Sequence, residues 1–279
     1  PNSTIAISDP SWENHRSIFE SVGLKVVTYP YYDNSKKKIK HTEFLEKLIT
    51  LPEQSTIILH ACCHNPTGLD LKNSQWNEVL SVMEEKNHIP FLDIAYQGFK
   101  DGIDEDAEII RRFVSRIRPT FVASSFSKSL SLYGERVGAL SIATNSNSES
   151  EKVLSHLKKI VRSNYSNPPT YGQYLVTEVL TDKNARIQWN EELNTMRNRI
   201  KATRVALVEL LKDNNKSRDF SFITSQNGMF SFSGLNEIEV TKLRNDFGIY
   251  IVNSGRICIA AINENNIDYV ASSISSVID

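Results

Sequence analysis

The chain is 279 residues long, enough for one large domain or two unequal domains with apolar cores. Lysine and arginine number 32 and aspartate and glutamate 33, so the overall charge does not indicate nucleic acid or an anionic membrane as a partner. No apolar stretch approaches the ~20 residues of a membrane-spanning helix, and none is placed like a signal peptide. Three cysteines cannot form a paired disulfide framework, which favours a reducing compartment, the cytoplasm.

The first half of the chain alternates short apolar runs with longer amphipathic ones, as α/β folds do. The predicted strands are Thr4–Ser8, Lys25–Tyr29, Thr56–His60, Pro90–Ile94, Thr120–Ser124 and Ala139–Thr144. The predicted helices are Glu13–Val22, Thr42–Thr50, Ser74–Lys86, Asp106–Ser115 and Glu149–Ser163. This order predicts a mainly parallel sheet covered by helices on both faces.

The second half begins with a long charged segment, Ala185–Lys212, that keeps apolar residues at helical spacing. It predicts a helix about 40 Å long that joins two domains. Short strands are predicted after it at Phe220–Thr224, Met229–Phe232, Ile249–Val252 and Arg256–Ala260, with helices at Glu239–Phe247 and Asn265–Val277. We therefore predict a large domain over residues 1–190 and a small α+β domain over 191–279.

Ligands of parallel sheets collect at the carboxyl ends of the strands, so the polar residues after each strand carry most information. In the segment Ser124–Arg136, Lys128 lies among hydroxyl groups. Such a lysine is either a solvated loop residue or, when desolvated, a nucleophile toward an aldehyde. Ser125, Ser127 and Arg136 could bind a phosphate beside it.

Asp93 follows a buried apolar run and is costly there unless it is paired. It is either a structural group or the partner of a protonated heterocyclic nitrogen. The third strand end, His60–Gly68, contains two histidines and two cysteines, but adjacent Cys62 and Cys63 would point to opposite faces of a strand and suit zinc poorly. The turn at 65–68 leaves Asn65 free to present its amide to a ligand.

The three segments occur together and in order: Asn-Pro-Thr-Gly at 65–68, Asp-x-Ala-Tyr at 93–96, and Ser-x-Ser-Lys at 125–128 followed by Glu-Arg-Val-Gly. This combination resembles the class I, fold type I aminotransferases. Further phrases, among them Pro-Ser-Trp at 10–12, Tyr-Ser-Asn-Pro-Pro at 165–169 and Ser-Gly-Arg-Ile at 254–257, resemble the aspartate and aromatic aminotransferase group. The match runs nearly end to end.

The resemblance implies a pyridoxal phosphate enzyme whose catalytic residues are Lys128, Asp93 and Tyr96. Lys128 would hold the cofactor as a Schiff base and move the substrate α-proton, and Asp93, braced by His15, would pair with the pyridine nitrogen. The other implied cofactor contacts are Trp12 and Ala95 on the ring faces, Asn65 and Tyr96 at the phenolic oxygen, and Ser125, Ser127 and Arg136 at the phosphate.

For the substrate, the resemblance implies that Arg256 binds the α-carboxylate with Asn65, beside Trp12. Arg162 would bind the distal carboxylate of aspartate or glutamate in the neighbouring subunit's site. The implied assembly is a homodimer with shared active sites, and the implied reaction is transamination between L-aspartate and 2-oxoglutarate. An aromatic amino acid aminotransferase of the same group is the alternative.

The chain also departs from that family. It begins without an initiator methionine and lacks the N-terminal arm, a glycine-rich helix start for the phosphate and a tyrosine lent to the partner. We therefore expect the start of the protein to be missing, and with it any evidence for or against mitochondrial targeting.

Other functions are less well supported by the sequence. Ser125 to Lys128 matches the Ser-x-x-Lys motif of acyl hydrolases, but the Ser-Asp-Asn and Lys-Thr-Gly motifs of that class are absent. A non-catalytic module would not need Lys128, Asp93 and Arg256 together. A pyridoxal lyase or decarboxylase would not need two arginines for carboxylates.

Overall fold

A computed structural model describes residues 3–214 and 217–278. Strands and helices alternate through the first part, beginning with β1 (Thr4–Asp9), α1 (Glu13–Glu20) and β2 (Lys25–Pro30). The series continues with β3 (Tyr32–Asp33), β4 (Lys38–Ile39), α2 (His41–Thr50), β5 (Thr56–His60), α3 (Asn73–Glu85), β6 (Ile89–Ile94), α4 (Ile103–Asp106), α5 (Glu108–Arg116), β7 (Thr120–Ser125) and β8 (Gly138–Ala143).

Six of these strands form one sheet in the order β2-β1-β5-β6-β7-β8. Every neighbouring pair is parallel except β7 and β8, which are antiparallel. The chain leaves β1 toward β2 on one side and later adds β5 on the other, so the strand order reverses between β1 and β5. The carboxyl end of the sheet beside such a reversal is where open α/β sheets bind ligands.

Apolar faces of the helices cover this sheet. Phe44 and Leu48 of α2 and Phe113 of α5 are fully buried. Strand β5 is buried along most of its length, as its uninterrupted Ile-Ile-Leu run predicts for a central parallel strand. The α/β architecture with a mainly parallel, helix-covered sheet is therefore confirmed.

The remainder of the chain is mostly helical: α6 (Asn147–Tyr165), α7 (Tyr171–Thr181) and the long α8 (Lys183–Asn214). Then come a 3-10 helix (Ser221–Ser225), β9 (Phe230–Phe232), α9 (Glu237–Phe247), β10 (Arg256–Cys258), a second 3-10 helix (Ile259–Ala261) and α10 (Ile267–Val277). In α8, Leu193, Ile200 and Leu207 are buried seven residues apart, which aligns them on one face toward α10 and the core. The predicted division at residue 190 falls inside α8.

Two predicted strands are wrong for local reasons. Residues 220–224 form a 3-10 turn because the Asp219 carboxylate accepts a hydrogen bond from Ser221 N (2.7 Å) and starts a helical turn. At 249–252, Ile249 N donates to Leu243 O (3.0 Å) across Gly248, whose φ is +64°. Ile249 thus caps the end of α9 and does not begin a strand.

The helical predictions also need correction. The predicted helix 106–115 is two helices, α4 and α5, which meet at Ala107. Helix α7 was not predicted, because its many valines and threonines have low helix propensity. Among the described residues, no helix combines the length and apolarity needed to cross a membrane.

Candidate active site

A cavity of about 320 Å³ opens at the carboxyl ends of β5, β6 and β7. Its lining comes from both halves of the chain: Trp12, His60, Asn65, Asp93, Ala95, Tyr96, Ser125, Ser127, Lys128, Tyr133, Arg136, Phe230 and Arg256. A second cavity of about 430 Å³, between α4 and α8, is lined by exposed charges of both signs and by no strand-end residue. The chemistry is therefore concentrated at the first cavity.

Lys128 is half-buried in the turn that follows β7. Its Nζ lies 5.0 Å from the ring centre of Tyr96 and 5.8 Å from that of Tyr133, within cation–π range. Burial lowers the pKa of the Lys128 amine, and the Arg136 charge lowers it further, against the opposing effect of Asp93. The neutral, nucleophilic amine thus forms at a lower pH than in an ordinary lysine.

The conformation of the turn that contains Lys128 also does not fit the Ser-x-x-Lys motif of acyl hydrolases. Ser125 is the last residue of β7, and Lys128 lies in an irregular turn. The two side chains are therefore not stacked one helical turn apart, as the Ser-x-x-Lys chemistry requires.

Asp93 lies at the carboxyl end of β6 with its side chain mostly covered. His15 Nε2 donates to Asp93 Oδ2 (2.9 Å), and Ser11 Oγ lies 3.0 Å from His15 Nδ1. If the Ser11 hydroxyl donates to Nδ1, the proton of a neutral His15 is on Nε2, where Asp93 needs a donor. Burial alone would raise the pKa of the Asp93 carboxyl, but the His15 hydrogen bond and the nearby Lys128 charge bring it below its ordinary value.

His60 is buried behind Asp93, and neither of its ring nitrogens has a hydrogen-bond partner among the described residues. Burial, reinforced by His64, lowers the pKa of His60 well below its ordinary value, so the ring is neutral. Donor atoms of His15, His60 and Asp93 lie within 4.8 Å of one another. This spacing is short enough for the three groups to bind one metal ion. However, His15 Nε2 is already hydrogen-bonded to Asp93, and the accessible part of Asp93 lines the cavity.

Asn65 and Arg256 meet at the opposite wall of the cavity. Arg256 Nη1 donates to Asn65 Oδ1 (2.9 Å), and the Arg256 guanidinium lies 4.5 Å from the ring centre of Phe230. The guanidinium is only partly buried, so it keeps donors free for a carboxylate.

The hydroxyl groups and the arginine predicted around Lys128 are also present. Ser125 Oγ accepts from Ser127 N (3.2 Å), and Arg136 Nη1 donates to Tyr133 O (2.9 Å). Arg136 is exposed and lines the cavity. Two hydroxyls and a guanidinium on one side of an amine form a suitable environment for a phosphate monoester.

Two of the predicted site residues do not line the cavity: His15 is buried and hydrogen-bonded to Asp93, and Arg162 lies away from the cavity. Arg162 is exposed on α6, where Nη1 donates to Ser166 Oγ. None of the residues of α6 is buried.

Two carboxylates that the sequence did not single out order the loops of the site. Asp106 accepts hydrogen bonds from Gly98 N (2.8 Å) and Asp101 N (2.9 Å), which fixes the loop after Tyr96. Asp70 accepts from Cys63 N and His64 N, both at 3.0 Å, which fixes the loop that carries Asn65. No local motif marks either residue, because each acts on backbone groups brought near by folding.

Cys62 and Cys63 do not lie on a strand, so the prediction that they point to opposite faces of one is wrong. Both residues follow β5, and Cys63 has a φ of +51°, so the alternation of a strand does not apply. Their sulfur atoms lie 3.6 and 3.9 Å from the same Tyr96 carbonyl oxygen. The histidines near them contact other groups: His64 lies beside Ser8 and Thr67, each at 2.9 Å.

Tyr133 and Phe230 line the cavity although no role was predicted for either. Tyr133 lies in the loop between Lys128 and Arg136, both of which were predicted, and Phe230 lies in the Gly-Met-Phe-Ser-Phe phrase at 228–232. For Tyr133, its position between two predicted site residues was the available signal in the sequence.

The fold and the cavity define an α/β enzyme with a half-buried lysine at its centre. The family model described as "Aminotransferase class I and II" matches residues 1–274. The aspartate aminotransferase of Pseudomonas aeruginosa is 52% identical over 278 residues, covering 100% of this chain and 70% of that protein. The aromatic-amino-acid aminotransferase of Escherichia coli K12 is 45% identical over 277 residues, covering 99% and 70%.

A crystal structure of an aromatic-amino-acid aminotransferase from Burkholderia pseudomallei, covalently bound to pyridoxal phosphate, matches with a TM-score of 0.98 and 52% identity. It is covered over 70% of its length by all of this chain. The chain therefore belongs to the class I and II aminotransferase family, as its motifs predicted.

Proposed function

We propose that the protein is a pyridoxal-phosphate-dependent aspartate aminotransferase that converts L-aspartate and 2-oxoglutarate to oxaloacetate and L-glutamate. The observation that carries the proposal is the convergence of Lys128, Asp93 and Arg256 on one cavity from three separate segments. These residues supply an amine, a carboxylate and a carboxylate receptor, the three functions that the reaction requires.

The groups around the cavity fit pyridoxal phosphate. When bound, this cofactor supplies an aldehyde that captures amino groups and a ring that accepts electrons from the bond broken at the substrate α-carbon. Ser125, Ser127 and Arg136 would bind its phosphate. The cofactor ring would lie between Trp12 and the methyl group of Ala95, which would contact its two faces. The Trp12 side chain is partly exposed and therefore accessible to the ring.

Asp93 provides the negative charge that a protonated ring nitrogen needs. The Ser11, His15 and Asp93 chain orients this carboxylate, and its lowered pKa keeps it ionised through the neutral range. Unpaired His60 beside it offers a further polar contact. Tyr96 and Asn65 would donate to the phenolic oxygen of the ring.

Lys128 has the properties of the group that accepts and returns the substrate proton. Its amine is partly desolvated, so it can become neutral, and it lies over the Tyr96 ring at the centre of the cavity. The positive charges of Arg136 and Arg256 remain available for anionic groups on either side of it.

Arg256 would bind the α-carboxylate that all amino acids carry, with Asn65 orienting its guanidinium. Arg162 is exposed and away from its own chain's cavity, which is compatible with a role in the site of a second subunit. We therefore propose a homodimer with shared active sites, in which Arg162 selects dicarboxylic substrates.

Aromatic amino acids are the second candidate substrates. Besides Tyr96, the aromatic side chains of Trp12, Tyr133 and Phe230 line the cavity and could pack against an aromatic substrate. Free, partly buried cysteines fit the reducing cytoplasm as the place of action.

Substitution of Arg162 and Arg256 should separate the two carboxylate sites. Arg162→Leu should lower kcat/KM for aspartate by ~10²-fold while sparing phenylalanine, because only diacids carry a distal carboxylate. Arg256→Leu should damage both substrates. Steady-state kinetics with the two amino acids measures the difference, and Lys158→Leu, one turn earlier on α6, is the matched control.

Mixing Arg162→Leu and Lys128→Ala chains tests the shared site. Arg162→Leu should be strongly impaired on aspartate and Lys128→Ala nearly inactive, whereas a hybrid dimer would hold one complete site and regain part of the activity. Absence of recovery after verified subunit exchange would refute the role of Arg162 across subunits.

A further inference from the structure

Strand β9 is too short to be rigid by itself. It has three residues, and within the part of the chain that the structure describes it pairs with no strand other than the equally short β10. An isolated two-stranded ladder is marginally stable, so the outer edge of β9 needs other partners for its backbone groups. This edge matters because β9 carries Phe230 and pairs through Phe232 with Arg256.

Arg204, from the long helix α8, occupies the first part of that edge. Its Nη2 donates to Gly228 O (2.7 Å) and lies 3.4 Å from Phe230 O, while Nε donates to Ser231 Oγ (3.1 Å). The intervening Met229 carbonyl accepts instead from Ala260 N (3.3 Å), in the segment after β10. Arg204 thus bonds the carbonyls that β10 leaves unpaired.

Gln226 occupies the rest of the edge. Its Oε1 accepts from Phe232 N (3.0 Å), and its Nε2 donates to Phe232 O (3.1 Å). Both Arg204 and Gln226 are 2% exposed. Together, these two side chains bond the carbonyls of Phe230 and Phe232 and the amide of Phe232, groups that a neighbouring strand would otherwise pair.

The Arg204 guanidinium is also unusual in its electrostatic setting. Within residues 3–214 and 217–278, no carboxylate lies at ion-pair distance from it. Burial lowers the pKa of Arg204 to about 10, still far above neutrality, so the group is charged. A buried charge compensated only by carbonyl and hydroxyl oxygens is costly, and lysine or a neutral side chain could not reach all three acceptors at once.

On the basis of the proposed function, we infer that Arg204 is a positioning residue for the substrate site. By bonding the outer edge of β9, it fixes the Phe230 ring, on which the Arg256 guanidinium lies, and the ladder that presents Arg256 toward Asn65. Asp93 lies on β6 of the parallel sheet and Lys128 in the turn that follows β7, so neither is carried by β9. Loss of Arg204 should therefore weaken carboxylate binding more than the chemical step.

The test compares Arg204→Met, which keeps the apolar stem, and Arg204→Lys, which keeps one donor group. Arg199→Met is the matched control, since Arg199 lies on the same helix and also donates to backbone carbonyls, Ala260 O (3.0 Å) and Ile262 O (3.2 Å), but not to β9. The measurements are KM and kcat for aspartate, and the Kd of the substrate-like dicarboxylate succinate by calorimetry. Thermal unfolding reports any general loss of stability.

We expect Arg204→Met to raise KM and the succinate Kd by ~10-fold or more with a much smaller fall in kcat. The reason is that a less rigid β9 would misplace the Arg256 guanidinium, which binds the carboxylate, and leave Lys128 in place. Arg204→Lys should show a smaller rise, and Arg199→Met neither. Wild-type KM and Kd in Arg204→Lys and in folded Arg204→Met would overturn the inference, as would an equal rise in Arg199→Met. If Arg204→Met does not fold, Arg204→Lys decides.

The outcome is separate from the test of the proposed function. A wild-type protein without transamination would refute the proposed function. The inference about Arg204 would then be judged from succinate binding alone, which needs no turnover. Turnover in the wild type with unaltered binding in the Arg204 variants would refute only the inference.

Discussion

Lys128→Ala should be folded and should lose transamination by ~10⁴-fold, because the variant lacks the amine that we propose both binds the aldehyde and moves the α-proton. Among the described residues no other lysine lines the cavity, so the site offers no second amine for the aldehyde. Single-turnover assays with aspartate would measure the loss.

Lys37→Ala is the matched control for this prediction. Lys37 is also partly buried, has a pKa lowered by burial and lies over an aromatic ring, that of Phe222 at 5.6 Å, but it is outside the cavity. It should retain wild-type turnover. Comparable activity in the two variants would show that Lys128 has no special chemical role.

Asp93→Ala should retain part of the cofactor and lower kcat by at least ~10²-fold, because removing a preorganised charge from a buried site leaves the ring nitrogen uncharged and the ring a poor electron acceptor. Asp93→Glu, which keeps the charge but displaces it, should lie between the wild type and Asp93→Ala. Asp101→Ala, at an exposed carboxylate, should have little effect. Wild-type kcat in Asp93→Ala would be incompatible with the proposed role.

The pH dependence of activity should also reflect the proposed role of Asp93. The pKa of Asp93 is below its ordinary value, so its charge is present at neutral pH and is lost only as the pH falls through that lowered value. Any loss of activity in mildly acidic solution should therefore come from groups other than Asp93. The profile of Asp93→Glu should begin to fall at higher pH if His15 no longer stabilises the displaced carboxylate.

Much of the site could be predicted from sequence because the sheet is parallel. Polar segments that follow neighbouring parallel strands meet at the same edge of the sheet. The segments at 60–68, 93–97 and 124–136 follow three such strands, and all of them border the cavity. Within each segment, the family motifs then predicted which side chain contacts the cofactor or the substrate.

The rest depends on contacts between distant parts of the chain. Arg204 looks in sequence like one more charge on a charged helix, and only the packing of β9 on α8 reveals that it is buried. Asp70 and Asp106 act within shorter stretches of chain, on loop amides seven and eight residues away, but these contacts follow no sequence periodicity. The antiparallel direction of β8 and the helical form of α7 were also set by packing and not by local pattern.

The most direct test of the central claim is to reduce the cofactor-loaded protein with borohydride and map the labelled peptide. We expect the pyridoxyl group to be attached to Lys128, in the Ser-Phe-Ser-Lys segment at 125–128, and aspartate added before reduction to prevent the labelling. A label on any other lysine, or none in a folded and active protein, would refute the role of Lys128.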